Sequence, residues 1–125
     1  MTSTHTKTIL IVEDNPSNLK LAKVILEIAN YQILTAHNAG KAMELLKTAK
    51  PNLILMDIQL PDMSGLQLTQ ILKSNPKTND IIIIALTALA RKEDELNALN
   101  AGCDGYISKP FERIHLLKKI ADFLK

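Results

Sequence analysis

Five apolar runs constrain this chain more than any other feature of its sequence: "TILIV" (8–12), "YQILTA" (31–36), "NLILM" (52–56), "DIIIIAL" (80–86) and "GYIS" (105–108). Most are continuous rather than alternating. A strand with one wet face alternates apolar and polar residues, so continuous runs belong to strands covered on both faces, as parallel strands are. The segments between them carry helical spacing. Leu19, Ala22, Ile25, Leu26 and Ala29 form one stripe, and Ala42, Leu45, Leu46 and Ala49 a second. Leu68, Ile71 and Leu72 form a third, Leu96 and Leu99 a weaker fourth, and Ile114, Leu117, Ile120 and Leu124 a fifth. Punctuation agrees: Asn15-Pro16 opens the first helical segment, Pro51 and Pro76 follow the second and third, and Gly102 ends the fourth.

Strict alternation of five strand–helix units predicts an α/β domain with a five-stranded parallel sheet, doubly wound as (βα)5. The common order for five strands is 2-1-3-4-5, the flavodoxin-like arrangement, whose switch point lies between strands one and three. The 125 residues suffice for one domain. We expect residues 8–125 to form it and residues 1–7 to be a flexible N-terminal tail. Composition removes several function classes. Net charge is +2 and aromatics are scarce, which disfavours direct nucleic-acid binding. No apolar run approaches the roughly 18 residues of a membrane span, and the polar start "MTSTHTKT" is no signal peptide. The single Cys103 excludes an internal disulfide and fits a reducing cytoplasm.

Ligands of such sheets bind at the carboxyl ends of the strands, beside the switch point. Strand one ends in Glu13-Asp14, strand three in Asp57, strand four in Thr87 and strand five in Ser108-Lys109-Pro110. Parallel strands end at one edge, so these side chains are expected to converge. Three clustered carboxylates repel unless a cation neutralises them. Oxygen ligands of this kind suit Mg²⁺. A hydroxyl (Thr87) and an ammonium (Lys109) opposite them complement a tetrahedral anion. The pattern points to a phosphoryl group on Asp57, a carboxylate nucleophile at the central strand end, with Glu13 and Asp14 better placed to hold metal than to attack.

The motifs "VEDN", "MDIQLPDMSG", "ALTA" and "YISKP", in that order, resemble the receiver domains of bacterial two-component response regulators. The resemblance covers residue 8 to about residue 124. It implies that Asp14 ligates Mg²⁺ directly and Glu13 through water, and that Asp57 accepts the phosphoryl group. It also implies a backbone carbonyl ligand at Gln59, Thr87 as the switch hydroxyl, Lys109 as the partner of the phosphoryl group and Tyr106 as the switch aromatic. The Lys109-Pro110 peptide is cis in that family. Gln59 and Leu89 stand where the family tunes the lifetime of the phosphoryl group. Glu13 replaces the Asp that many receivers carry, although Glu-Asp pairs also occur.

The implied protein is a phosphoacceptor switch, catalysing only its own phosphorylation and dephosphorylation. Its donor would be a histidine kinase or histidine phosphotransfer protein. Its output would be a downstream protein bound at the fourth helix, fifth strand and fifth helix, roughly residues 90–124. Arg91, Lys92, Glu93, Arg113 and Lys118 are candidate contacts. No output domain follows the last helix, so a stand-alone cytoplasmic regulator of the chemotaxis or cell-division type is expected. A receiver excised from a hybrid histidine kinase, acting as a phosphorelay intermediate, is the alternative. A haloacid-dehalogenase phosphatase would need an acid where Gln59 stands. A flavodoxin would need a phosphate-binding loop where this chain has the acidic "EDNPSN". Cys103 reads as a packing residue and Lys118-Lys119 as complements to the last helix dipole. His5, His37 and His115 lack ligand spacing.

Overall fold

The computed structural model describes residues 6–88 and 91–124. The expected pattern of strands and helices is present, in the order β1 (Thr8–Val12), α1 (Pro16–Ile28), β2 (Gln32–Ala36), α2 (Ala39–Leu45), β3 (Leu53–Asp57), α3 (Gly65–Lys73), β4 (Ile82–Thr87), α4 (Lys92–Ala101), β5 (Gly105–Ser108) and α5 (Arg113–Phe123). All strand pairs are parallel and the sheet order is β2-β1-β3-β4-β5. His5, Leu89 and Ala90 lie outside the described residues.

Period-two geometry turns the continuous apolar runs into two cores. Leu10, Val12, Ile54, Met56, Ile83 and Ala85 face α2, α3 and α4. Ile9, Ile11, Leu53, Leu55, Ile84 and Leu86 face α1 and α5. Each buried large apolar side chain stabilises the fold by about 1.5–3 kcal/mol. Register then places the strand ends. Val12 pairs with Met56, Asp57 with Leu86, and Thr87 with Ser108. One step past Val12, Glu13 comes beside Asp57.

The helices correct several sequence expectations. In α4 the buried residues are Ala98 and Ala101, whereas Leu96 and Leu99 are 56% and 46% exposed. Small residues let α4 sit close, and its leucines are left outside. In α5 Ile120 is buried and Leu117 and Leu124 pack against the same core as expected, but Ile114 is 70% exposed and Leu116 is buried instead. Ala29 and Ile71 also lie at the surface. Lys118 and Lys119 fall inside α5 rather than in its last turn, so they do not complement its dipole.

Helix starts follow local chemistry. Asn15 caps α1, its side chain accepting from the Ser17 and Asn18 amides, with Pro16 at the first helical position. Ser64 and Gln67 form a capping box on α3. Gly102 closes α4 in the left-handed conformation at φ 107°.

Candidate functional site

Two of the expected site residues are strand residues, not loop residues. Asp57 is the last position of β3 and Thr87 the last of β4, and both are buried. The expected runs stopped one residue short of each. An ionised carboxylate buried this way needs partners. The Lys109 Nζ lies 3.2 Å from Asp57 Oδ2, and the Gln59 amide donates to Asp57 Oδ1 at 3.0 Å. The β3–α3 loop that supplies this amide is tied down twice. Gln59 bridges to Ser64, and Asp62 accepts from the Ala39 and Gly40 amides at the start of α2. Those two amides hold the Asp62 carboxyl below the usual carboxylate range.

Glu13 is nearly fully buried and accepts from Lys109 Nζ at 2.8 Å, a shorter contact than the one Lys109 makes with Asp57. Its second oxygen accepts from the Asn15 amide at 3.3 Å. Burial, aided by the neighbouring Asp57, pushes the Glu13 acid up to about 7 against the pull of Lys109. Burial also works against the Lys109 charge, but the Glu13 hydrogen bond and the Asp57 charge outweigh it and raise its pKa. One ammonium therefore serves two buried carboxylates, with the exposed Asp14 beside them.

Carboxylate oxygens of Glu13, Asp14 and Asp57 all lie within 4.8 Å of one another. Oxygens gathered this closely are ones that a single small divalent cation could draw together. The donors are all oxygen, and their charge exceeds that of Lys109. Both points suit a hard divalent cation.

Two more of the expected residues lie on β5 or just after it. The Lys109-Pro110 peptide is cis. Tyr106 is half-buried against the α2–α3–α4 core. The Glu95 carboxylate beside its hydroxyl holds the Tyr106 phenol above its ordinary range, and Lys119 Nζ stands 5.9 Å from the ring. Two features escaped sequence reasoning. The Glu13–Lys109 pair was hidden because both residues read as ligands of absent groups. The Asp62 tie to α2 had a legible signal, an acid in a Pro-Asp loop, but its partner was not.

This fold, with buried acids at the ends of β1 and β3 and a lysine after β5, defines a class. The chain matches the response regulator receiver domain family over residues 9–121, and it belongs to that family. Such domains act as phosphoacceptor switches in two-component signalling, bind Mg²⁺ at an acidic site and work with histidine kinases and downstream proteins. Among its relatives is the polar-differentiation response regulator DivK of Brucella anthropi, 41% identical over 118 residues, covering 94% of this chain and 96% of that protein. A CheY-like receiver domain protein of Methanospirillum hungatei is 37% identical with a TM-score of 0.87, covering 95% of this chain and 94% of that one. The receiver domain of the sensor histidine kinase PA1611 of Pseudomonas aeruginosa, solved with a magnesium ion in its active site cleft, is 31% identical. Its TM-score is 0.87, over 95% of this chain and 98% of that one.

Proposed function

We propose that the chain is a single-domain response regulator. Its Asp57 accepts a phosphoryl group from a histidine kinase or histidine phosphotransfer protein and passes the signal on by phosphorylation-dependent protein binding. The observation that carries this is the placement of Asp57. It is fixed at a strand end, held on one oxygen by the Gln59 amide and on the other by Lys109, with Glu13 and Asp14 alongside. An Asp57 oxygen attacks phosphorus, the P–O bond forms, and the P–N bond to the donor imidazole breaks. Glu13, Asp14, Asp57 and the Gln59 carbonyl would hold Mg²⁺, which when bound neutralises charge on the transferred group. Lys109 stays within reach of the new phosphoryl oxygens, and Thr87 supplies a hydroxyl on the adjacent strand.

Output runs through α4, β5 and α5. Two features support this face: α4 turns Leu96 and Leu99 outward, and Tyr106 links the sheet to both helices through Glu95 and Lys119. Residues 8–125 act as one receiver unit, catalysing no reaction but their own phosphorylation and its reversal. The single-domain reading is favoured by the match to nearly the whole length of DivK. Among the described residues no helix is long and apolar enough to cross a membrane, in keeping with a cytoplasmic role.

The test is labelling with radioactive acetyl phosphate in Mg²⁺, comparing the native chain with Asp57→Asn. We expect incorporation only in the former. Equal labelling of the variant would remove Asp57 from the role.

A further inference from the structure

Asp62 lies outside the acidic cluster, yet it joins the two sides of the rim. One side follows β3. The Gln59 amide donates to Asp57 Oδ1 at 3.0 Å, and its loop closes on itself through the Gln59–Ser64 bridge and through the Gly65 amide, which donates to the Ile58 carbonyl at 3.0 Å. The loop is thus fixed at its base, and its tip tilts unless something holds it. The other side follows β1. There the Glu13 amide donates at 3.0 Å to the carbonyl of Ala36, the last residue of β2, and α2 begins shortly after at Ala39.

Asp62 stands at the loop tip and spans the gap. Its Oδ1 accepts from the Ala39 amide at 2.9 Å and its Oδ2 from the Gly40 amide at 3.0 Å. Among the described residues no other hydrogen bond ties the tip, Leu60 to Met63, to another element; Leu60 and Met63 add apolar packing. A carboxylate gripping two successive amides makes charge-assisted bonds of fixed direction. The bonds form a closed circuit. It runs from Glu13 to Ala36, along the chain to Ala39, across Asp62 to the loop and through Gln59 to Asp57. Lys109 completes it, at 3.2 Å from Asp57 Oδ2 and 2.8 Å from Glu13 Oε1. Lys109 holds the two carboxylates together, and Asp62 holds the two backbones. A simple helix cap is the plainer role for such an acid, but α2 has its own cap: the Asn38 side chain accepts from the Lys41 amide at 2.7 Å.

The two candidate cations differ in what they ask of such a rim. Mg²⁺ demands a near-ideal octahedron at about 2.0–2.1 Å, whereas Ca²⁺ accepts a looser shell at about 2.3–2.6 Å. A rim whose width wanders therefore penalises the smaller ion more. We infer that Asp62 is a positioning residue for the metal: by fixing the β3–α3 loop tip to α2 it sets the spacing between the Asp57–Gln59 side and the Glu13–Asp14 side, and with it the preference for Mg²⁺ over Ca²⁺. The inference deepens the proposed function and rests on it for the identity of the ion.

The test titrates Mg²⁺ and Ca²⁺ separately into the full chain, read by amide shifts, in the native protein and three variants. Asp62→Asn keeps the shape but removes the charge and turns an NH2 group toward one amide. Ala39→Pro removes one donor at the first position of α2, where proline is favoured, and leaves the charge alone. Asp80→Asn removes an acid that pairs with Lys50 just before β4, at the opposite end of the sheet. We expect Mg²⁺ affinity to fall by about tenfold in the first two variants. Ca²⁺ affinity should fall clearly less in both, and Asp80→Asn should bind both ions as the native chain does. In the metal-free protein the Gln59 amide should exchange faster with solvent in Asp62→Asn. Unchanged Mg²⁺ affinity in Asp62→Asn, or equal losses for the two ions, overturns the inference. So does a loss that a folded Ala39→Pro does not share, because a change of charge alone would explain it. If Ala39→Pro does not fold, the ratio of the two affinities in Asp62→Asn decides. If the native chain binds no Mg²⁺, the phosphoacceptor reading fails. Native-like Gln59 exchange in metal-free Asp62→Asn then overturns the positioning role, and faster exchange upholds it.

Discussion

Gly65 begins α3 directly against the end of β3, and replacing it with alanine tests how tightly that junction is built. A Cβ there would stand 2.8 Å from Ile58 Cα and 2.9 Å from the Asp57 carbonyl carbon, and it would press on the Asp57 carbonyl oxygen. Carbon atoms settle at about 3.5–4.0 Å, so something must retreat by roughly 0.6–1 Å. Every atom in the way is backbone, and no flexible side chain can yield. The Gly65 amide donates to the Ile58 carbonyl at 3.0 Å, and a retreat of that size weakens this bond. Overpacking costs about 1–3 kcal/mol and a lost hydrogen bond about 1 kcal/mol, against a gain of less than 1 kcal/mol in helix propensity. Gly65→Ala should therefore lose about 1–3 kcal/mol in urea unfolding. Because the strained backbone is that of Asp57 itself, Mg²⁺ and beryllofluoride binding should weaken as well. Gly40→Ala is the control. Its Cβ would meet only Asp62 Oδ2 at 3.5 Å and Asn38 Oδ1 at 3.6 Å, ordinary contacts, so that variant should be neutral or stabilised by up to about 1 kcal/mol. Wild-type stability in Gly65→Ala, or equal losses in the two variants, would refute the close approach.

Further predictions follow from the same geometry. Glu13 has a folded pKa near 7, raised above its ordinary 4.5, so the folded state binds the extra proton between these values. Metal-free stability should then fall as pH rises through that window, by at most about 3 kcal/mol, and Glu13→Gln should flatten the trend; urea midpoints across pH decide it. Leu116 is fully buried, and Leu116→Ala should cost about 2–5 kcal/mol, whereas Leu96→Ala and Leu99→Ala should each cost less than about 1 kcal/mol in the same assay. Burial pushes the Cys103 thiol up and covers it. Its reaction with a disulfide reagent should be slow in the native protein and rise sharply through the unfolding transition. Fast native labelling would contradict the burial.

The sheet was legible because burial on both faces writes itself into the sequence as uninterrupted runs. Strand order and the converging rim then followed from parallel topology. Helix faces were less legible. In α4 the sequence offers two leucines and two alanines on different sides, and size alone favours the leucines. What decides is how closely the helix must approach, and close approach selects Ala98 and Ala101. In α5 the spacing of Leu117, Ile120 and Leu124 also admits Ile114, yet the residue that turns inward beside them is Leu116. At the site, residue types named the candidates, but Lys109 resting on Glu13 depends on distances that no motif encodes.

The Glu13–Lys109 contact joins residues 96 positions apart. Closing a chain segment of that length costs about 4 kcal/mol of entropy in the simplest polymer estimate, a cost met only once the intervening strands are in place. On a ribosome, Glu13 and Asp57 emerge long before the lysine that steadies them both. A nascent chain thus carries two acids whose shared ammonium has not yet been made.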